Sequence, residues 1–200
     1  TMVTVKELMS DIRQGKDVSK KIALSFDDGY KNNHDYALPL LQKYNAKGTF
    51  HVINNRIGVS EMYMNEAEIN NMLAAGMEIG SHTFSHNPLG DIDKIYYDWE
   101  TGVSKYDLEK RFPGLIVETM AYPNGSYNAE IKAKLQHFGY KQALTGSLYL
   151  VDKSMADKNP METARVIIED DGTKPGRFPW LIQRAYKKSY LRARGIDVGD

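Results

Sequence analysis

The stretch IALSFDDG, residues 22–29, is an apolar run that ends on two adjacent carboxylates and a glycine. A short apolar run bounded by turn residues is typical of a buried strand, which we predict over residues 22–26. Asp-Gly also suits a turn, and aspartate often caps a following helix. Adjacent carboxylates repel each other, however, so a simple turn would use only one. Asp27 and Asp28 therefore indicate either a turn or helix cap, or chemistry at the end of a strand.

Short apolar runs alternate with amphipathic segments along the rest of the chain. Further strands are predicted over residues 48–53, 77–80, 115–121, 141–144 and 164–168. Helices are predicted from residue 37, from the cap Asn65 with Glu68, over residues 91–110, from the cap Asn128, and over residues 179–187. Repeated strand–helix–strand units imply a parallel sheet, and six or more units favour a barrel over an open sheet. In both architectures, functional groups lie where strands end.

Composition sets limits on function. The 200 residues contain 42% hydrophobic and 26% charged residues, with a formal net charge of +0, so we expect no nucleic-acid partner. There is no cysteine, which excludes disulfides, thiolate metal sites and a cysteine nucleophile. No apolar run is long enough to span a membrane, so membrane contact is expected only through segments outside this chain. We expect one domain over residues 1–200, truncated at its N-terminus and monomeric.

The stretch GSHTFSH, residues 80–86, follows the third predicted strand and places His82 and His86 four residues apart. Both imidazoles can face one point on a helical turn, although surface histidines in a polar loop would also give this short pattern. Two histidines and one carboxylate form a catalytic type of zinc site. Of Asp27 and Asp28, one would bind the metal and the other would accept a proton from the activated water.

The stretch MAYPNGSYN, residues 120–128, is a third group at a strand end. Pro-Asn-Gly is a turn signal, and a plain strand-to-helix turn would explain it. The functional interpretation is that the loop aims a backbone N–H at the metal, where it would stabilise the oxyanion of a tetrahedral intermediate.

At these three places the sequence resembles the polysaccharide deacetylases of the NodB-homology type, carbohydrate esterase family 4. SFDDG resembles the family's T-F-D-D-G motif, SHTFSH its H-[ST]-x-x-H motif, and AYPNG its R-x-P-Y-G motif. The resemblance covers roughly residues 20–165 and is closest to the branch that deacetylates poly-N-acetylglucosamine in biofilms. It implies a distorted (β/α) barrel of about seven parallel strands. It also implies hydrolysis of N-acetyl groups from an N-acetylglucosamine polymer, either poly-β-1,6-N-acetylglucosamine or peptidoglycan, outside the cell or at its surface.

The resemblance also implies roles for single residues. Asp27 is similar to the catalytic base, and Asp28, His82 and His86 are similar to the ligands of one divalent metal ion. Zinc is the first choice, and cobalt, nickel and iron(II) also suit these ligands.

Four further residues are expected around the substrate. The backbone N–H of Asn124 would hold the oxyanion. Tyr122, Pro123 and Tyr30 would contact the sugar, because aromatic residues beside the motif loops can stack on sugar rings.

Two departures from the family pattern affect the expected activity. Ala121 replaces the arginine of the third motif, and we predict that Arg165 supplies the missing cation beside Asp27; an arginine at the surface or the edge of the core is the alternative. The histidine of the family's last motif, Leu-x-His, is not found, and His137 is interpreted as structural. In the biofilm branch a histidine from before the first motif fills this role. An O-acetyl xylan esterase and a catalytically weak carbohydrate-binding domain therefore remain as alternatives.

His51 is a further histidine, at the end of the second predicted strand, where the family usually has an aromatic residue. It would either line the pocket or be a hydrogen-bonded strand histidine.

Overall fold

The structure, a computed structural model, describes residues 1–147, 149–151, 153–168, 177–192 and 194. Its strands are β1 (Met2–Val3), β2 (Ile22–Ala23), β3 (Ser25–Phe26), β4 (Thr49–Val52), β5 (Glu78–Ser81), β6 (Thr119–Ala121) and β7 (Gln142–Leu144). Its α-helices are α1 (Val5–Arg13), α2 (Leu38–Lys43), α3 (Glu66–Ala74), α4 (Ser104–Arg111), α5 (Ala129–His137), α6 (Lys153–Lys158) and α7 (Arg177–Arg192). Within this described part, none of the helices combines the length and the apolar character that a membrane span requires.

Five parallel strands form the main sheet, a curled half-barrel with the order β3-β4-β5-β6-β7. The strands β1 and β2 form a separate parallel pair. The order follows the chain, so each strand of the main sheet lies beside the next one in sequence, the common arrangement of consecutive βα units. The predicted parallel (β/α) architecture is confirmed, and the seven strands of the described residues are divided between two sheets.

The core lies on the sheet and under its helices. Phe50, Ile79 and Met120 lie on three adjacent strands and are fully buried. They belong to one cluster with Ile69 and Met72 of α3. All four residues of β4 are buried, as is usual for a parallel strand that is covered on both faces.

Two predicted helix starts are confirmed by their capping contacts. The Asn65 side chain accepts a hydrogen bond from the N–H of Glu68, whose carboxylate accepts one from the Asn65 N–H, which is a complete capping box. The Asn128 side chain accepts a hydrogen bond from the N–H of Ile131 at the start of α5. These side chains satisfy N–H groups that have no partner within the helix.

Three predicted elements differ from the structure. The strand over residues 22–26 is divided at Leu24, because β2 pairs with β1 while β3 pairs with β4. The prediction of a strand over residues 164–168 is wrong. In this part of the chain Thr163 forms a single bridge, to Leu144. Arg165 then contacts the loop after β7 through its backbone N–H and its side chain.

The predicted helix over residues 91–110 is also interrupted. Two 3-10 turns, Leu89–Asp91 and Lys94–Tyr96, precede a π-helical segment, Trp99–Val103, and only then does α4 begin. The Asp93 side chain accepts a hydrogen bond from the N–H of Ile95. Aspartate often binds nearby backbone N–H groups in this way, and such a bond competes with the backbone hydrogen bonds of a continuous helix.

Candidate metal centre and active site

The predicted site residues lie together at the carboxyl ends of the strands. Asp27 and Asp28 follow β3, and His82 follows β5 directly. The end of β6, at Ala121, lies beside them, since its carbonyl oxygen accepts a hydrogen bond from His82. Parallel strands bring their carboxyl ends to one edge of the sheet, which explains why residues far apart in the chain meet here.

Asp28, His82 and His86 form a cluster that could hold one metal ion. Asp28 Oδ1 lies 3.2 Å from His86 Nε2 and 3.5 Å from His82 Nε2. One ligand atom from each of the three residues lies within 4.8 Å of the others. Ligands at about 2.0–2.2 Å from a tetrahedral zinc ion are roughly 3.3–3.6 Å apart. The two distances from Asp28 therefore fit a zinc-sized ion.

The orientation of His82 also suits a metal ligand. Its Nδ1 donates a hydrogen bond of 2.7 Å to the carbonyl oxygen of Ala121, and its side chain is buried. A carbonyl can only accept, so the proton is on Nδ1 and the lone pair of Nε2 is free to bind a metal. A backbone carbonyl in this position is the usual means by which proteins fix a metal-binding histidine.

His86 is the more exposed of the two histidines, and its charge state is suited to the same role. Burial is the largest influence and lowers the pKa of His86, and the neighbouring His82 lowers it further, against the opposite effect of Asp28. The neutral imidazole is the form that binds a metal.

The backbone around the cluster is held in uncommon conformations. Asp28 has a φ of 70°, Thr83 of 65° and His86 of 67°, all in the left-handed region. Such a conformation costs a non-glycine residue on the order of 1 kcal/mol or more and tends to occur at functional sites. Thr83 Oγ1 accepts a hydrogen bond of 2.9 Å from the His86 N–H, which supports the turn between the two histidines.

Glu100 anchors the loop that carries the two histidines. Its side chain is almost fully buried, and its carboxylate accepts hydrogen bonds from Ser85 N at 2.9 Å, from Ser85 Oγ, and from Asn87 Nδ2 at 3.2 Å. Its carbonyl oxygen accepts one from Phe84 N at 3.2 Å. Glu100 is not recognisable from the sequence, because it lies within the stretch predicted as a helix over residues 91–110 and is 14 residues from His86.

Asp27 is paired with Arg165 rather than with the metal cluster. Arg165 Nη1 donates to Asp27 Oδ1 at 2.8 Å, and Arg165 Nη2 donates to Asp27 Oδ2, which makes the pair bidentate. The guanidinium is itself fixed by the Thr145 carbonyl oxygen at 3.0 Å and Ser25 Oγ at 3.2 Å. The structure thus places Arg165 beside Asp27, where the sequence analysis expected a cation.

The charge of Asp27 is set by burial and by its two neighbours His51 and Arg165. Burial opposes its ionisation, but His51 and the Arg165 guanidinium outweigh burial and hold the pKa of Asp27 well below its usual range. Asp27 is therefore a carboxylate at neutral pH, which is the form that a general base needs.

The four residues predicted around the substrate have different surroundings. Tyr30 is 37% exposed and stacks on Tyr63 with ring centroids 5.3 Å apart, so its role in sugar binding stays a prediction. Asn124 lies in the 3-10 turn Pro123–Gly125 with a φ of 53°, and the role of its N–H also stays a prediction.

The expected contacts of Tyr122 and Pro123 with sugar are corrected by the structure, because both residues are buried. The Tyr122 hydroxyl donates to the Met161 carbonyl oxygen at 2.9 Å, which satisfies its polar end inside the core. The sequence could not separate a buried tyrosine from one that lines a cleft.

His34, Asp35 and Glu68 form a second group of possible ligands, which shares no residue with this site. His34 Nδ1 is 2.9 Å from Asp35 Oδ1, and Lys31 Nζ is 3.3 Å from Glu68 Oε1. A lysine already supplies positive charge here, so of the two groups in the described part of the chain we expect a metal at the Asp28–His82–His86 cluster.

The fold and the site together define a (β/α) half-barrel protein with a candidate metal centre at the carboxyl edge of its sheet. Comparison with known proteins gives the family. The family model described as polysaccharide deacetylase matches residues 14–143, which is more than half of the chain. The chain therefore belongs to the polysaccharide deacetylase family, and the resemblance found in its motifs is confirmed.

Individual relatives support this assignment. YxkH of Bacillus subtilis, whose name places it among the polysaccharide deacetylases, is 31% identical over 144 residues, which cover 72% of this chain and 51% of that protein. A poly-β-1,6-N-acetyl-D-glucosamine N-deacetylase of Staphylococcus epidermidis is 24% identical over 183 residues, which cover 84% of this chain and 62% of that protein. The chain thus spans between half and two thirds of the length of these relatives.

Solved structures show the same fold. A polysaccharide deacetylase from Bacillus cereus has a TM-score of 0.76 and 28% identity, over 90% of this chain and 56% of that one. The deacetylase PplD from Streptococcus pyogenes has a TM-score of 0.80 and 22% identity, over 92% of this chain and 79% of that one.

Proposed function

We propose that this chain is a metal-dependent deacetylase that removes N-acetyl groups from an N-acetylglucosamine polymer. The observation that carries the proposal is the division of labour between two adjacent carboxylates. Asp28 faces the two histidines, whereas Asp27 is bound by Arg165 and is left without a metal-ligand role. A purely structural metal site needs only Asp28 and the two histidines. The presence of a second, ionised carboxylate at Asp27 therefore supports catalysis.

The proposed substrate is an uncharged polymer that lies outside the cytoplasmic membrane. The formal net charge of +0 provides no overall attraction for a charged partner. Poly-β-1,6-N-acetylglucosamine is the first choice, because relatives named for that activity match 84% to 91% of this chain. Peptidoglycan is the second choice. We propose that the chain acts as a single-domain monomer, at the cell surface or in the medium.

The residues that would hold the metal are Asp28, His82 and His86. Two imidazoles and one carboxylate suit zinc first, and cobalt, nickel or iron(II) as well. The chemistry that such an ion supplies when bound is activation of a water molecule and polarisation of the acetyl carbonyl.

The remaining steps are assigned to residues of this chain. Asp27 accepts a proton from the attacking water at a carboxylate oxygen, while Arg165 holds the carboxylate in position. The water oxygen bonds to the acetyl carbon, and the backbone N–H of Asn124 would stabilise the oxyanion. The carbon–nitrogen bond then breaks, the proton passes to the leaving nitrogen, and the products are acetate and a free amine on the sugar.

A second candidate activity follows from the positions of the histidines. Among the residues that the structure describes, His34 contacts Asp35, and His137 is exposed on α5 beside Phe138, so the contacts of these two histidines do not support a general-acid role. Cleavage of an ester needs less help from an acid, because an alcohol leaves more readily than an amine. This favours an O-acetyl esterase, or weak N-deacetylation by this chain alone, as the second candidate.

The test is acetate release from a panel of four substrates by the zinc-loaded protein. The panel contains β-1,6-linked and β-1,4-linked N-acetylglucosamine oligomers, peptidoglycan and O-acetylated xylan. We expect the fastest release from the β-1,6-linked oligomers. Release from xylan alone would support the esterase, and no release from any substrate by a protein that binds zinc would support a binding domain.

A further inference from the structure

His51, on β4, is a buried polar residue that lacks its expected partners. Its side chain has no exposed surface, and neither ring nitrogen has a hydrogen-bond partner. Buried polar atoms are nearly always hydrogen-bonded, so an orphaned imidazole inside a sheet needs an explanation. Its Nδ1 lies 3.5 Å from Asp27 Oδ1, slightly beyond a hydrogen bond.

The neighbouring strand leaves space for this imidazole. His51 is opposite Gly80 in the register of β4 and β5. A Cβ at residue 80 would lie 2.5 Å from His51 Cδ2 and 2.6 Å from Thr119 Oγ1. A side chain at residue 80 would therefore displace the ring. The glycine on β5 leaves the space that the His51 side chain of β4 occupies.

The charge state of His51 is set by its surroundings. Burial is the largest influence and lowers the pKa of His51, although Asp27 opposes this effect. The ring is therefore neutral and has one N–H to donate. Burying that N–H without a partner would cost on the order of 1–3 kcal/mol. The Asp27 carboxylate is an acceptor 3.5 Å from Nδ1.

We propose that His51 is a positioning residue that holds the Asp27 carboxylate by donation from Nδ1–H to Oδ1. This inference rests on the proposed function, in which Asp27 is the base. Arg165, in the segment that follows the Thr163 bridge, already binds both carboxylate oxygens. A second donor, carried on the adjacent strand, prevents the carboxylate from rotating about its bond to Cβ. A base fixed in this way keeps its free lone pair directed at the water.

The rival explanation is that His51 only fills space. The two explanations are separated by three substitutions. The side-chain nitrogen of asparagine takes the place of Nδ1, that of glutamine takes the place of Nε2, and phenylalanine fills the volume with no donor. Packing alone predicts that Phe and Gln are the best replacements. Positioning predicts that Asn is the best replacement for activity, although it leaves the largest cavity.

The first experiment compares zinc-loaded His51→Asn, His51→Gln and His51→Phe with the unchanged protein and with the control His137→Phe, which alters an exposed residue of α5. We expect kcat to fall about tenfold or more in His51→Phe and His51→Gln, with KM and zinc affinity unchanged, and to recover several-fold in His51→Asn. Activity that follows the unfolding temperature across the three variants would overturn the proposal.

The second experiment does not depend on activity, and so separates failure of this inference from failure of the proposed function. Nitrogen-15 NMR of histidine-labelled protein reports which ring nitrogen carries the proton, and the His51 signals are assigned by their loss in His51→Phe. We expect a neutral His51 with its proton on Nδ1, and a shift of that signal in Asp27→Ala. A proton on Nε2 would overturn the proposal, even if the protein releases acetate.

Discussion

At the scale of single residues, the two aspartates differ because the backbone turns between them. Asp28 is in the left-handed region with a φ of 70°, and its carboxylate faces His82 and His86. Asp27 faces Arg165. Two adjacent negative charges are tolerated because each has its own positive or hydrogen-bonding partners. The repulsion that marked the pair as unusual in the sequence is thus offset by two separate sets of contacts.

Arg165→Lys tests the pairing with Asp27. Lysine keeps the charge but cannot bind both carboxylate oxygens in the way that a guanidinium does. We expect kcat for acetate release to fall by about tenfold or more, with zinc affinity unchanged, because the metal ligands do not contact Arg165. Steady-state kinetics and calorimetric zinc titration measure the two quantities. Unchanged turnover would show that Arg165 has no role in holding the base.

Asp28→Asn tests the metal cluster. Asparagine has the same shape and tolerates the left-handed backbone, but it is a weaker ligand because it carries no charge. We expect zinc affinity to fall about a hundredfold and the unfolding temperature of the metal-free protein to stay the same or rise.

Asp35→Asn is the matched control for Asp28→Asn, since Asp35 belongs to the second group of possible ligands. We expect its zinc stoichiometry, measured by titration calorimetry, to stay at about one ion per chain. A loss of one bound ion in Asp35→Asn would place a metal at His34 and Glu68, against our expectation.

At the scale of elements, the π-helical segment Trp99–Val103 positions the histidine loop. The segment presents both the carboxylate and the carbonyl oxygen of Glu100 to the loop. Short π-helical segments within or beside α-helices often occur at functional sites. Gly102 in the same segment lies against Phe138, whose ring atoms would be 2.6 Å from an added Cβ, so close packing on α5 fixes the segment.

Glu100→Gln tests this anchor. An amide offers one acceptor oxygen where the carboxylate serves three donors, so the loop should hold His82 and His86 less firmly. We expect zinc affinity to fall about tenfold, while the metal-free protein loses less than about 2 kcal/mol of stability, because an amide is easier to bury than a charge. Titration calorimetry and denaturant unfolding measure these effects. Asp98→Asn is the control, since Asp98 is exposed and pairs with Lys134. Equal zinc affinities in the two variants would contradict the anchoring role.

At the scale of the whole molecule, the two ends of the sheet have different tasks. At the amino end, the Glu78 carboxylate accepts hydrogen bonds from Thr49 and Thr119, and from the Lys6 N–H at the start of α1. This end joins three strands of the half-barrel to α1, whereas the carboxyl end carries Asp27 and the candidate metal cluster. The division is the one usual for (β/α) barrels, in which stability and chemistry occupy opposite faces.

The sequence predicted what depends on local pattern. The caps Asn65 and Asn128 were predicted because capping involves residues three apart. The proximity of Asp28, His82 and His86 was predicted because they come after predicted strands, whose carboxyl ends meet at one edge of the sheet. Glu100 was missed, since its contacts depend on an interrupted helix. The buried position of Tyr122 was also missed, because tertiary packing decides which tyrosines reach the surface.

The most direct test of the account is acetate release by metal-stripped protein, before and after zinc or cobalt is added back, in parallel with Asp27→Asn. We predict that release is lost on stripping and is restored by about one ion per chain. We further predict that Asp27→Asn binds the ion equally well but releases acetate at least a hundredfold more slowly. Release that is insensitive to metal removal, or an Asp27→Asn variant as active as the unchanged protein, would contradict the account.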